Sequence, residues 1–111
     1  MSNNLSLIEG ILTNDPESDY SVDGSTRCIF EVAVNFKFKV GEKDIEDVVL
    51  ITALTWNKVA EACLKYLEKN SNVRVRGLLK EDTWTTKEGT KRNKIYIEAS
   101  AVDFLSNREN K

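Results

Sequence analysis

The side chains here best suited to chemistry are aromatic rings set beside cations. The stretch DTWTTKEGTKRNKIYI, residues 82–97, puts Trp84 ahead of a polar turn containing Gly89. Lys87, Lys91, Arg92 and Lys94 follow within it, then an alternating apolar strand. A flat ring can stack on any unpaired nucleobase, for about 1–3 kcal/mol per base, while adjacent cations track the phosphates. Phe36, Phe38 and Trp56 are the other candidate rings. Lys37, Lys39, Lys58, Arg74, Arg76 and Lys80 are the other candidate cations.

Catalytic chemistry is poorly supplied. The sequence has no histidine, so the commonest general base and metal ligand is missing. It contains no nucleophile elbow, phosphate-binding loop or dinucleotide fingerprint. The 18 acidic residues are more simply a solvated surface than paired acids and bases. Cys28 and Cys63 form no CxxC and read as buried thiols, one in a strand and one on a helix face. No metal site and no cofactor is predicted, and the chain reads as a binding protein, not an enzyme.

Charge is unevenly spread. The net charge of −2 argues mildly against a polyanionic partner. Residues 72–97 reverse that sign locally: Arg74, Arg76, Lys80, Lys87, Lys91, Arg92 and Lys94 stand against Glu81, Asp82 and Glu88. Screening limits each charge to about 8–10 Å, so a local basic hairpin can hold an anion on a mildly acidic protein. The N-terminus MSNNLSLIEG lacks the pattern of a signal peptide, and no apolar run approaches a membrane span. A reducing cytoplasm is the expected location.

The elements that must position these groups can be read from periodicity. Residues 5–12 are a short apolar strand, and 13–25, with the only proline, a loop. Residues 27–40 alternate, with Cys28, Phe30, Val32, Val34, Phe36 and Phe38 sharing one parity. A charged turn at 41–47 leads to a second long strand, 47–56, buried on both faces for part of its length. In 57–71 the period changes to that of a helix, with Val59, Ala62, Cys63, Tyr66 and Leu67 on one stripe. Asn57 is placed to cap it, and Asn70 to stop it in a left-handed conformation. Strands follow at 72–84, with a bulge or bend at Gly77, and at 94–105. With 111 residues, this is one domain, 1–105, plus a short polar end, 106–111. Three strands, a helix and two strands predict an all-β, five-stranded OB-fold barrel with one α-helix between strands 3 and 4.

The rings do not read alike. Phe36 shares parity with the core residues of its strand and reads as core. Phe38 reaches solvent only if the strand bulges or the core ends before it. Trp56, at a strand end beside a helix start, suits a core or interface role as well as a platform. Trp84, among Asp82, Thr83, Thr85 and Thr86, is the least core-like and the best stacking candidate.

Several stretches, in this order and spacing, resemble one known family. They are Asp15-Pro16-Glu17 with Tyr20 and Gly24, the strand around Phe30-Glu31-Val32-Ala33, AEACLKYLEKNSNVRVRGLL, and Asp82-Thr83-Trp84 leading to Gly89. From Leu5 to Leu105 the chain resembles the bacterial-type single-stranded DNA-binding proteins. The resemblance implies sequence-independent binding of single-stranded DNA in replication, recombination and repair. It also implies a homo-oligomer, a tetramer in preference to a dimer. The family's stacking positions fall on Phe38, Trp56 and Trp84, and its binding-face cations on Lys58, Lys80 and Arg92. A further family tryptophan falls on Leu50, and an interface histidine on Ile51. Glu81 and Asp82 stand where the family tends to be basic. Replication and repair proteins are the implied partners, although the family's acidic C-terminal tip is not among these residues, which end in SNRENK.

Single-stranded DNA is the expected ligand, and RNA would stack on the same rings. The acidic substitutions and the missing ring also suit a second reading. This is an OB-fold protein-interaction or primosome-type subunit with weak nucleic-acid affinity. On the first reading, titrating homopolymer DNA at several salt concentrations gives a slope of about −0.7 per phosphate neutralised. That slope is expected to be shallower than for a strongly basic relative, and a slope near zero rejects the electrostatic part.

Overall fold

The computed structural model describes residues 2–106, so most of the polar end 106–111 lies outside the described residues. Six strands and one helix run in the order β1 (Ser6–Leu12), β2 (Glu17–Tyr20), β3 (Thr26–Val40), β4 (Lys43–Trp56), α1 (Asn57–Tyr66), β5 (Asn72–Thr85) and β6 (Lys91–Leu105). The sheet order is β1-β5-β6-β4-β3-β2, and a further β1–β3 pairing closes it. Five strands therefore form a closed barrel, and β2 is an appendage on its outside.

Barrel closure is a local event on β1. Residues Ser6–Ile11 pair with β5, and Ile11–Leu12 also pair with Ala33 and Val32 of β3. At Gly10 the two backbones come so close that a Cβ would lie 2.2 Å from the Ala33 carbonyl oxygen. Only glycine fits that approach.

The alternation of β3 decides what lies inside. Cys28, Phe30 and Val32 are buried and meet Thr55, Ala53 and Ile51 across the β3–β4 ladder. Leu12, Val73, Val75, Ile97 and Ala99 complete the wall, and Ala60, Cys63 and Leu67 seal one end. Burial drives the Cys63 thiol up to about 12 and raises that of Cys28, so both stay protonated and inert. The Thr55 hydroxyl, the one buried polar side chain among the described residues, donates to the Cys28 carbonyl at 3.0 Å.

Outside the barrel, the β3–β4 and β5–β6 hairpins continue as two arms. The first turns at Gly41 (φ 64°), the second at Gly89 (φ 86°), both left-handed positions that favour glycine. β4 and β6 meet in parallel only at Ala53–Ile97 and Leu54–Glu98. The arms stretch the molecule to 51 × 37 × 34 Å, with a radius of gyration of 16.1 Å. A compact chain of about 100 residues has roughly 13 Å.

The structure corrects several sequence expectations. The helix lies between strands 4 and 5, because residues 13–25 contain β2. That strand has no buried residue and so no apolar signal; it is a short edge held to β3 through the Asp19↔Arg27 register pair. β4 begins at Lys43 rather than 47, its acidic start pairing across to lysines of β3: Lys37–Glu46 at 3.5 Å and Lys39–Asp44 at 3.9 Å. Asn57 does not cap α1: Trp56 occupies the extended cap position, and Asn57 is itself left-handed at φ 55°. The helix ends at Tyr66, not 71. Asn70 is left-handed as expected (φ 77°), but within a turn that the Leu12 backbone fastens from both sides. The buried helix stripe is Ala60, Cys63 and Leu67, and Tyr66 faces solvent. The bulge opposite Gly77 places its extra residue, Ser100, on β6, where the hydroxyl donates to the Arg76 carbonyl at 3.2 Å.

Gly10→Ala is expected to force β1 away from β3 and to destabilise the fold by about 1–3 kcal/mol, as overpacking does. A lower urea midpoint with an unchanged slope would record it.

Candidate nucleic-acid interface

β5 and β6 build one continuous outer face. Because Ile97 and Ala99 point inward, Glu98, Tyr96, Lys94 and Arg92 point outward by alternation. Their partners on β5 are Leu78, Lys80, Asp82 and Trp84 respectively. Trp84 and Arg92 are thus directly opposed near the end of the second arm. With Thr83, Thr85, Lys91 and Asn93 they line an open groove of about 400 Å³. Trp84 is 49 % exposed. Lys87 sits in the exposed turn of the same arm.

Trp56 closes the other end of this face. It stands directly across from Arg27, whose guanidinium lies 5.8 Å from the centre of its ring. Arg27 is held in turn by Asp19, with Nε donating to Oδ1 at 2.6 Å and a second bond completing the fork. That pair lowers the Asp19 carboxyl and raises the Arg27 guanidinium. On the β6 side, the Trp56 Nε1 donates to Glu98 Oε2 at 3.4 Å, and Glu98 Oε1 lies 3.6 Å from Lys80 Nζ. Burial, then the Asp82 charge, raises the Tyr96 phenol. Lys58 is exposed at the start of α1, two residues past Trp56.

The outer face therefore brings together Trp56, Lys80, Trp84, Arg92 and Lys94, with Lys58 and Lys87 at its margins, while Lys91 alternates to the other side of the arm and joins them only in the groove near its end. Phe38 lies elsewhere, on the β3–β4 arm. There it stacks on Phe36 with ring centres 6.1 Å apart and planes 23° from parallel. Phe36 is 43 % exposed and Phe38 42 % exposed. The reading of Phe36 as core is corrected: the parity holds, but no element covers the strand beyond Val34. Arg74 and Arg76 sit at the barrel end of β5, beside β1. Arg74 is engaged by Glu9 at 3.2 Å and Asp103 at 3.8 Å, while Arg76 is exposed.

Sequence reasoning missed Arg27, Tyr96 and Glu98. Their place on the face follows from cross-strand register, which spacing along the chain does not encode. Arg27 alone had a signal, as a cation at the start of the most regular alternation.

The fold and this face define a small OB-fold barrel with an exposed ring-and-cation surface on its longer hairpin. Residues 3–105 match the model of the single-strand binding protein family, and the chain belongs to that family. It is 36% identical over 105 residues to single-stranded DNA-binding protein 2 of Chlorobaculum tepidum, covering 93% of this chain and 71% of that one. To the single-stranded DNA-binding protein of Treponema pallidum it is 34% identical over 99 residues, covering 89% of this chain and 56% of the relative. Single-stranded DNA-binding protein 1 of a Nostoc species is 30% identical over 112 residues, with 100% and 90% covered. The chain thus spans about half the length of the Treponema relative.

Trp84 is the more open of the two indoles, since Trp56 lies between Arg27 and Glu98. Trp84→Phe is expected to remove most of the fluorescence that iodide quenches; an unchanged quenching constant would contradict the described exposure.

Proposed function

We propose that this chain binds single-stranded DNA without sequence preference, as a passive protein of replication, recombination and repair. Bases stack on Trp84 and Trp56, and on Phe38 where the strand reaches the other arm. Arg92, Lys91, Lys94 and Lys87 follow the phosphates along the second arm, and Lys58 and Lys80 do so near Trp56. The carrying observation is the direct opposition of Trp84 and Arg92 on an open face that also holds Trp56. Family membership and the names of the relatives support it.

Residues 1–105 act as the binding domain, in the cytoplasm, and the role is binding, not catalysis. A homo-oligomer, a tetramer in preference to a dimer, accounts for the apolar residues left open on β1, just before it and on β4, among them Leu5, Leu7, Val48, Val49 and Leu50. Such residues on a projecting arm and at a strand edge are suited to subunit contacts.

The alternative, a protein-interaction subunit with weak nucleic-acid affinity, draws on Asp82 and Glu98, which place negative charge between the two tryptophans. Trp84→Ala decides between them. Loss of one stacking platform is expected to weaken oligo-dT binding by about 1–3 kcal/mol with the circular dichroism of the fold unchanged. Wild-type fluorescence that oligo-dT leaves unquenched, or equal affinity of the variant, would overturn the first reading.

A further inference from the structure

The charge arrangement around Trp56 has a feature that a plain cationic track would lack. Each of its two flanking cations already has a carboxylate. Arg27 is forked onto Asp19, and Lys80 lies 3.6 Å from Glu98. Glu98 is fixed in position by the barrel itself. It sits between the inward-pointing Ile97 and Ala99, is paired in register with Leu78, and lies beside Leu54 at the parallel β4–β6 contact. Its two oxygens serve different partners, Oε1 toward the Lys80 ammonium and Oε2 toward the Trp56 indole N–H. Glu98 is thus an acceptor-bearing anion held between the Trp56 indole and the Lys80 ammonium. A nucleotide phosphate would occupy the same place.

We propose that Glu98 is an affinity-setting residue that acts as a built-in competitor of the DNA backbone for Lys80. The inference rests on the proposed binding of single-stranded DNA to this face. In the free protein the Glu98 carboxylate takes the Lys80 charge. When DNA arrives, a phosphate exchanges with it, and the freed Glu98 carboxylate takes up a cation from solution, which offsets one of the counterions that the DNA releases. Two consequences follow. The apparent number of phosphates neutralised is smaller than the number of lysines and arginines on the face, which flattens the salt dependence. The carboxylate that remains beside the bound phosphate repels it, which shortens the lifetime of the complex and favours rapid exchange along the strand. A partly buried pair 3.6 Å apart with an open lysine is weak, so the exchange is cheap in both directions.

Glu98→Gln removes the charge while keeping the size and an oxygen that can still accept from Trp56. In fluorescence titrations with oligo-dT, this variant is expected to bind about threefold to tenfold more tightly near 0.1 M salt. Its slope of log K against log[salt] should be steeper by about 0.7, one further phosphate. Lys80→Met alone is expected to weaken binding while leaving the slope unchanged, because the phosphate contact it removes is one that replaced an existing ion pair. In the double variant the extra slope produced by Glu98→Gln should disappear, since no ammonium remains for a phosphate to take. An increment in slope that survives Lys80→Met would mean that lower net negative charge, and not the pair, is responsible, and would overturn the proposal. So would an unchanged slope or weaker binding in Glu98→Gln. The underlying reading fails differently: oligo-dT would then leave the fluorescence of wild type and all variants unaltered.

Discussion

Everything in this molecule depends on β1 touching two neighbours at once. An open five-stranded sheet would expose one apolar face to water. Closure between Ile11–Leu12 and Val32–Ala33 converts that face into an interior. The close approach at Gly10 makes the closure possible. Once the barrel is shut, strand alternation leaves no choice about direction. Val73, Val75, Ile97 and Ala99 go in, so Lys80, Trp84, Arg92 and Glu98 go out. The ring-and-cation face is therefore a by-product of core packing, and its geometry is as rigid as the ladder that carries it.

On that face, electrostatics is balanced residue by residue. The two cations that flank Trp56, Arg27 and Lys80, are each matched by a carboxylate. Of Lys91, Arg92 and Lys94 farther out, none has an ion pair among the described residues. A gradient results, with the strongest uncompensated field at the end of the arm, where Trp84 lies, and a nearly neutral patch around Trp56. In the proposed binding mode the acidic whole-molecule charge is then no obstacle, since the arm offers its unpaired cations to the phosphates.

Much of this was legible in the sequence, for definite reasons. β3 could be read because one parity of 27–40 is apolar, and α1 because the period changes at Asn57. Gly77 and Gly89 marked the bulge and the turn because their neighbours are strand formers. The short strand Glu17–Tyr20 was invisible because nothing in ESDY is buried; its stability comes from the pairing with β3. Phe36 was misread because parity specifies a side of a strand but not whether anything covers it. Among the site residues, Trp84 stood out because its neighbours are all polar. Arg27, Tyr96 and Glu98 did not, because they join the face through partners distant along the chain, Trp56 for Arg27, Lys80 for Tyr96 and Leu78 for Glu98, and only the register fixes which.

The parallel contact between β4 and β6 extends over only two residue pairs, Ala53–Ile97 and Leu54–Glu98. Beyond it, the two ribbons share no ladder. From Val49, the partner of Val34, to Lys43 the first ribbon projects six residues, about 20 Å at 3.4 Å per residue. A ribbon of that length works as a lever: a pivot of one degree at the barrel displaces its tip by roughly 0.4 Å. Rotations of several degrees at the barrel wall thus become ångström changes in the span between the two arms. A polymer bridging them would meet a jaw of adjustable width rather than a slot of fixed size.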